Sequence, residues 1–205
     1  MFLSRIHLDR YNRNTLKALN SLSIFHGAIE SSFLGERKRN LWRIDKLGGQ
    51  LYILLLSETK PELSSFCSQF AKNKFSFETK SYDKLLARVR KGNKYKFRLT
   101  ANPTKSLPRE NGERGKVFSH TTIEFQKEWL VKISEKNGFS VNNSFDVVQS
   151  RKFVFYKERR KLSFISVTYE GILEVIDADL FRNALINGIG REKAYGMGLL
   201  TIIKV

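Results

Sequence analysis

The chain has 205 residues, 41% of them apolar and 12% aromatic, which is enough for one large or two small domains with cores of their own and excludes a disordered chain. Lys and Arg number 37 against 20 acids, and the resulting net charge of +17 exceeds what solubility requires, so a polyanion is the expected partner. No apolar run approaches the ~20 residues of a membrane-spanning helix and no signal peptide is evident, so the expected location is the cytoplasm, with no membrane partner.

In chain order, FLSRIHLD (2–9) alternates like a strand, and 14–34 reads as one or two helical segments. NLWRIDKL (40–47) and LYILLLSE (51–58) read as strands meeting at Gly48-Gly49. Pro61 opens a short helix containing Cys67, the single cysteine, which reads as a small buried hydrophobe. KFSFETK (74–80) alternates like a strand and completes a β-α-β-β-α-β order. A basic connector, YDKLLARVRKGNK, follows. The order then recurs: a strand at YKFRLTAN, a helix at TTIEFQKEWLVKISEK, strands across 139–155 and 161–176, a helix at ADLFRNALI and a terminal strand LLTIIKV.

The expected class is therefore α+β, with two tandem ferredoxin-like (RRM-like) βαββαβ domains over residues 1–84 and 94–205. The two halves share topology, not sequence. Antiparallel sheets of this kind with a basic surface also serve RNA recognition, which turns the polyanion toward RNA.

Two basic regions sharpen that expectation. Lys84 to Lys116 holds eleven Lys and Arg, among them Arg98, Lys105 and Arg109. KERRKL sets Lys157, Arg159, Arg160 and Lys161 at the join of two strands. Either run serves as a solvated face or as a set of phosphate contacts; a protruding basic turn favours the second role. Phe153, Phe155, Phe164 and Tyr169 alternate as core-facing strand residues do. Asp177 and Asp179 open a helix, where capping accounts for them better than metal ligation does. No spacing of His, Cys and carboxylates resembles a metal cage, so neither a metal nor another cofactor is expected.

Near the end, NGIGREKAYGMGLL packs Gly188, Gly190, Gly196 and Gly198 into eleven residues just before the last strand. One or two glycines suffice for a tight helix-to-strand turn, so four imply that the backbone comes close to something. A dinucleotide or P-loop site is excluded, because a strand and not a helix follows the glycines.

This ending, together with SIFHGAIESSF, ERKRNLWRID, KFRLTANPTK and TYEGILEVID in the same order, resembles the CasE family of CRISPR-associated repeat-processing endoribonucleases, the RNA-cutting subunit of type I-E Cascade. The resemblance runs over nearly the whole chain. It implies two ferredoxin-like domains, binding of the CRISPR repeat hairpin, metal-independent cleavage at the hairpin's 3′ base, and retention of the product beside other Cascade subunits. It also implies that the glycine loop lies at the active-site end of the RNA groove, with Arg191 and Lys193 adding charge there.

Cutting RNA without a metal requires the adjacent 2′-hydroxyl to attack phosphorus, with a base, an acid and positive charge for the phosphorane. Histidine suits the proton transfers. Of His7, His26 and His120, only His26 matches the position of the family's catalytic histidine; read alone it would be an ordinary helix residue. Many family members carry a tyrosine three residues earlier, where this chain has Ser23, and Tyr11 is the nearest tyrosine in sequence. A non-catalytic RNA-binding subunit of a CRISPR ribonucleoprotein is the alternative, and the histidine discriminates against it.

Overall fold

The structure is a computed structural model that describes residues 1–34, 38–107, 115–142, 144–157 and 160–205, with backbone only for 155–157 and 160–161. It divides into two units, Met1–Arg88 with Lys193–Leu199, and Val89–Glu192 with Leu200–Val205.

The first unit runs β1 (Phe2–Leu8), α1 (Arg13–Asn20), α2 (Leu22–Glu30), β2 (Leu41–Leu47), β3 (Gln50–Ser57), α3 (Ser64–Phe70), β4 (Phe77–Ser81) and a single turn, α4 (Asp83–Leu86). Its strands lie in the order β2-β3-β1-β4, all antiparallel, which is the ferredoxin-like arrangement. Period-two alternation sorts the side chains. Ser4, Ile6 and Leu8 pair across from Leu55, Ile53 and Leu51 on the face that packs against helices. Against them stand Phe25, Phe66 and Phe70, whose rings meet at 4.8–6.1 Å and are fully buried. Each such ring contributes roughly 1.5–3 kcal/mol by leaving water. Cys67 belongs to this core as expected, and burial pushes its thiol up to about 11.

The helix ends follow local chemistry. The Asn12 carboxamide oxygen accepts from the amides of Asn14 and Thr15 to start α1. α2 has no side-chain cap and is held by its buried residues Leu22, Phe25 and Ile29, spaced by three and four. β4 begins later than the alternation predicts, because the Asn73 side chain accepts from the Phe75 amide and keeps 73–76 in a turn.

The second unit repeats the order with additions. It runs β5 (Lys94–Ala101), β6 (Thr104–Leu107), β7 (Lys116–Ser119), α5 (Ile123–Lys136), β8 (Phe139–Ser140), β9 (Phe145–Lys157), β10 (Arg160–Val175), α6 (Ala178–Asn187) and β11 (Leu200–Lys204). Its sheet has the order β11-β5-β10-β8, with β9 also on β10. The stretch expected to be strand across 139–155 is divided between β8, which ends at Ser140, and β9, which begins at Phe145. There Asn142 has φ +35°, and Gly171 of β10 admits the chain so closely that a Cβ would lie 2.2 Å from the Ser144 carbonyl oxygen. The pair β6–β7 is an antiparallel addition that no sequence periodicity announced. Tyr169 anchors the core by donating to the Gln126 carbonyl at 2.9 Å and stacking on Trp129. Asp177 caps α6 by accepting from the amides of Asp179 and Leu180, as its sequence position implies. Among the described residues no helix is long and apolar enough to cross a membrane.

Candidate active site and RNA contacts

α2 buries Leu22, Phe25 and Ile29, and this fixes what its neighbouring face presents: Ser23, His26 and Glu30, all half-buried and one turn apart. The Ser23 hydroxyl lies 3.0 Å from that of Ser21. Glu30 accepts from the Asn40 side chain at 3.5 Å, which brings the entry to β2 against the end of the same helix.

The glycine segment reaches this helix from the far end of the sequence. Residues Lys193–Tyr195 form a 3-10 turn that packs against α2 and β2. Residues of β2 hold the segment that follows it. Buried Arg43 donates from Nη1 to the Leu199 carbonyl at 2.9 Å, while its Nε and Nη2 grip both oxygens of buried Asp45 at 2.8 Å. Removing one partner of such a pair leaves an uncompensated buried charge, at a cost of about 3–5 kcal/mol. Gly196, at φ +79°, lies against the Trp42 ring, and a Cβ there would come within 3.0 Å of it. Trp42 in turn meets Phe25 edge-on at 6.0 Å, one residue from His26.

Lys193 starts that turn half-buried. Burial pulls its ammonium below the ordinary lysine range, and the nearby charge of Arg39 adds to the effect. Arg39 precedes Asn40, whose side chain bonds Glu30 at the end of α2. Glu192, the residue before, is raised above the usual carboxylate range by burial, with Arg191 acting in the opposite direction.

All four glycines have positive φ: Gly188 +71°, Gly190 +84°, Gly196 +79° and Gly198 +90°. This corrects the expectation that four exceed what the turn needs, because every one occupies backbone space that a side chain disfavours. Gly188 ends α6, and Gly190 lies under the Trp129 ring at 3.4 Å from where a Cβ would stand. Arg191 is exposed and bridges to Asn102 through the backbone.

The remaining basic positions separate. Arg98 on β5 is ion-paired with Glu170 of β10, so a phosphate there must displace a carboxylate. Lys105 is exposed on β6. β9 ends at Lys157 and β10 begins at Arg160; these two residues face each other in register, and Lys161 pairs with Tyr156. Arg109 and Arg159 lie outside the described residues. Tyr11 stands in the β1–α1 loop with Arg10 over its ring, whereas Tyr195 lies in the turn that packs on α2. Sequence reasoning passed over Arg39, Trp42, Arg43 and Tyr195. The only signal in the sequence was their place inside the motifs ERKRNLWRID and GREKAYG.

A family model described as CRISPR associated protein matches residues 1–204. The chain is 28% identical over 219 residues to the CRISPR-associated endoribonuclease Cse3 of Thermus thermophilus, covering 98% of this chain and 99% of that protein. Among solved structures it is similar to the CRISPR endoribonuclease Cse3 bound to a 19-nucleotide RNA, with TM-score 0.84 and 24% identity over 99% of this chain and all of that one. It is also similar to a chain of a CRISPR RNA-guided surveillance complex, with TM-score 0.67 and 22% identity over the full length of both. Matched along its length by the family model and carrying the motifs named above, the chain belongs to the CasE (Cse3) family of CRISPR-associated proteins.

Proposed function

We propose that this protein is a metal-independent endoribonuclease that cuts the CRISPR repeat hairpin of precursor RNA, keeps the product and works with other Cascade subunits in the cytoplasm. The observation that carries the reading is the packing of the Lys193–Tyr195 turn onto the helix that bears His26. Family membership and the likeness to Cse3, an endoribonuclease with RNA-bound structures, support the substrate class.

In the proposed reaction the 2′-hydroxyl upstream of the cut attacks phosphorus and loses its proton, and the 5′-oxygen of the downstream nucleotide departs and gains one. His26 carries one of these transfers, where a positioned imidazole is worth ~10²–10⁴ in rate. Lys193 and Arg39 offset the charge that builds on the phosphorane oxygens. A lysine whose proton is already loosened by burial is also competent to give it to the leaving oxygen. Ser23 hydrogen-bonds with Ser21 and is a poor acid, so Lys193 and Tyr195 are the groups proposed to take over the family tyrosine's part. The products are a 2′,3′-cyclic phosphate and a 5′-hydroxyl. Lys157, Arg159, Arg160 and Lys161 follow the hairpin stem, with Lys105, Arg109 and Arg191 as further phosphate contacts.

Incubation with repeat RNA in excess chelator tests the route. Cleavage proceeds without added metal, and a 2′-deoxy substitution just upstream of the cut blocks it while hairpin binding persists. Cutting of that deoxy substrate at the parent rate would make an activated water the nucleophile and sink the mechanism.

A further inference from the structure

The open face of the first sheet is divided. Along the edge strand β2 Leu41, Arg43 and Asp45 are buried, with Arg43 held by the Leu199 carbonyl and Asp45 directly across from Tyr52. At the end of the sheet where β1 finishes, His7 of β1 and Tyr52 of β3 are a directly opposed pair on the two central strands. Their rings stack at 5.0 Å with 26° between planes, and the Arg5 guanidinium lies 5.5 Å from the centre of the Tyr52 ring. Neither ring is buried, and the imidazole of His7 is held in place by Gln50 at 3.0 Å.

Two more aromatic rings edge the same end. Tyr11, in the loop leaving β1, is 77% exposed with Arg10 at 5.2 Å, and Phe75, in the loop entering β4, is 74% exposed with Lys74 at 5.1 Å. Backbone bonds fix both loops: the His7 amide of β1 donates to the Ser76 carbonyl beside Phe75 at 2.8 Å, and the Asp9 amide in the Tyr11 loop donates to the Phe70 carbonyl at the end of α3 at 2.9 Å. A ring this exposed leaves a π-face on which a base can stack. A cation at each ring matches a ligand made of flat bases joined by phosphates, and the chain's +17 charge points the same way. The Arg5–Glu78 pair at 3.4 Å is exposed on both sides, so a phosphate exchanges with the carboxylate at little cost.

We propose that this end of the first unit, built on Tyr52, His7, Tyr11 and Phe75 with their attendant cations, is a second RNA contact that stacks unpaired bases of the strand continuing from the hairpin. It rests on the functional reading above only for the identity of the polymer. A duplex stem keeps its bases inside the stack and offers nothing to these rings, so the site selects single strands.

The test measures fluorescence anisotropy of the full chain with a short oligouridylate and, separately, with the bare repeat hairpin. In the parent the oligouridylate binds. Tyr52→Ala with Phe75→Ala weakens it by about tenfold or more, since a stacked base is worth ~1–3 kcal/mol on alanine substitution, whereas Tyr52→Phe retains it. Should Tyr52→Ala not fold, Phe75→Ala with Tyr11→Ala, both on exposed loops, gives the same reading. A parent that binds the hairpin but not the oligouridylate, or aromatic variants that bind oligouridylate as tightly as the parent, overturns the proposal and leaves the catalytic reading standing. Oligouridylate binding that depends on these rings, with no affinity for the hairpin, supports the proposal and overturns the hairpin reading instead.

Discussion

The two units share one strand order and differ in what is attached to it. The first carries the half-buried histidine face of α2, the buried Arg43–Asp45 pair and a seven-residue segment from the far end of the chain. The second carries extensions: the β6–β7 pair and the β9–β10 hairpin, whose strands run 13 and 16 residues and end among Lys157, Arg160 and Lys161. A ferredoxin-like sheet fixes neither activity nor affinity. The difference teaches that in this chain the proposed chemistry depends on a helix face closed by a distant loop, whereas the proposed grip on RNA depends on charge borne by long strands.

The largest expected effect tests the first half of that contrast. His26→Ala lowers the single-turnover cleavage rate by ~10²–10⁴ while hairpin affinity stays nearly the same, because a neutral imidazole adds little to holding a highly charged RNA. A variant that cuts as fast as the parent breaks the catalytic assignment, and one that no longer binds makes the residue structural. Replacing Lys157, Arg159, Arg160 and Lys161 together by alanine tests the other half. The slope of log K against log salt flattens by roughly three to four units, taking the duplex-DNA coefficient for RNA, while the rate at saturating protein changes far less. An unchanged slope returns the run to a solvated face.

The smallest effect sharpens the role of the segment that joins the first unit. Lys193→Met lowers the cleavage rate about tenfold and raises thermal stability, because the parent's native state holds a charged ammonium in a half-buried place beside Arg39. The sign with pH follows. A lysine lowered in the folded state binds fewer protons there than in the unfolded chain, so the parent gains stability as pH rises through the folded pKa toward the ordinary lysine value. The stability advantage of Lys193→Met is therefore largest at neutral pH and fades by about pH 10. Thermal unfolding of both proteins across that range checks it; an advantage that does not change with pH would mean that Lys193 is not strained by burial.

The element order could be read along the chain, since period-two alternation at 2–8 and 50–57 and the three-and-four spacing of Leu22, Phe25 and Ile29 leave little choice of face. The family was legible too, through the motifs around His26 and the glycines, as was the Asp177 cap that starts α6. That all four late glycines serve positive φ emerges from the fold, because a glycine's presence does not report which of its accessible conformations is required. The same holds for the charge of Arg39 acting on Lys193 and for the guanidinium of Arg43 closing on a carbonyl 156 residues away. Periodicity is a local property, read along a few residues of chain. The burial of an ion pair, the loosening of a lysine's proton and the gathering of Tyr11, Tyr52 and Phe75 at one end of a sheet arise from packing between segments distant in sequence, and no local pattern encodes which segments will meet.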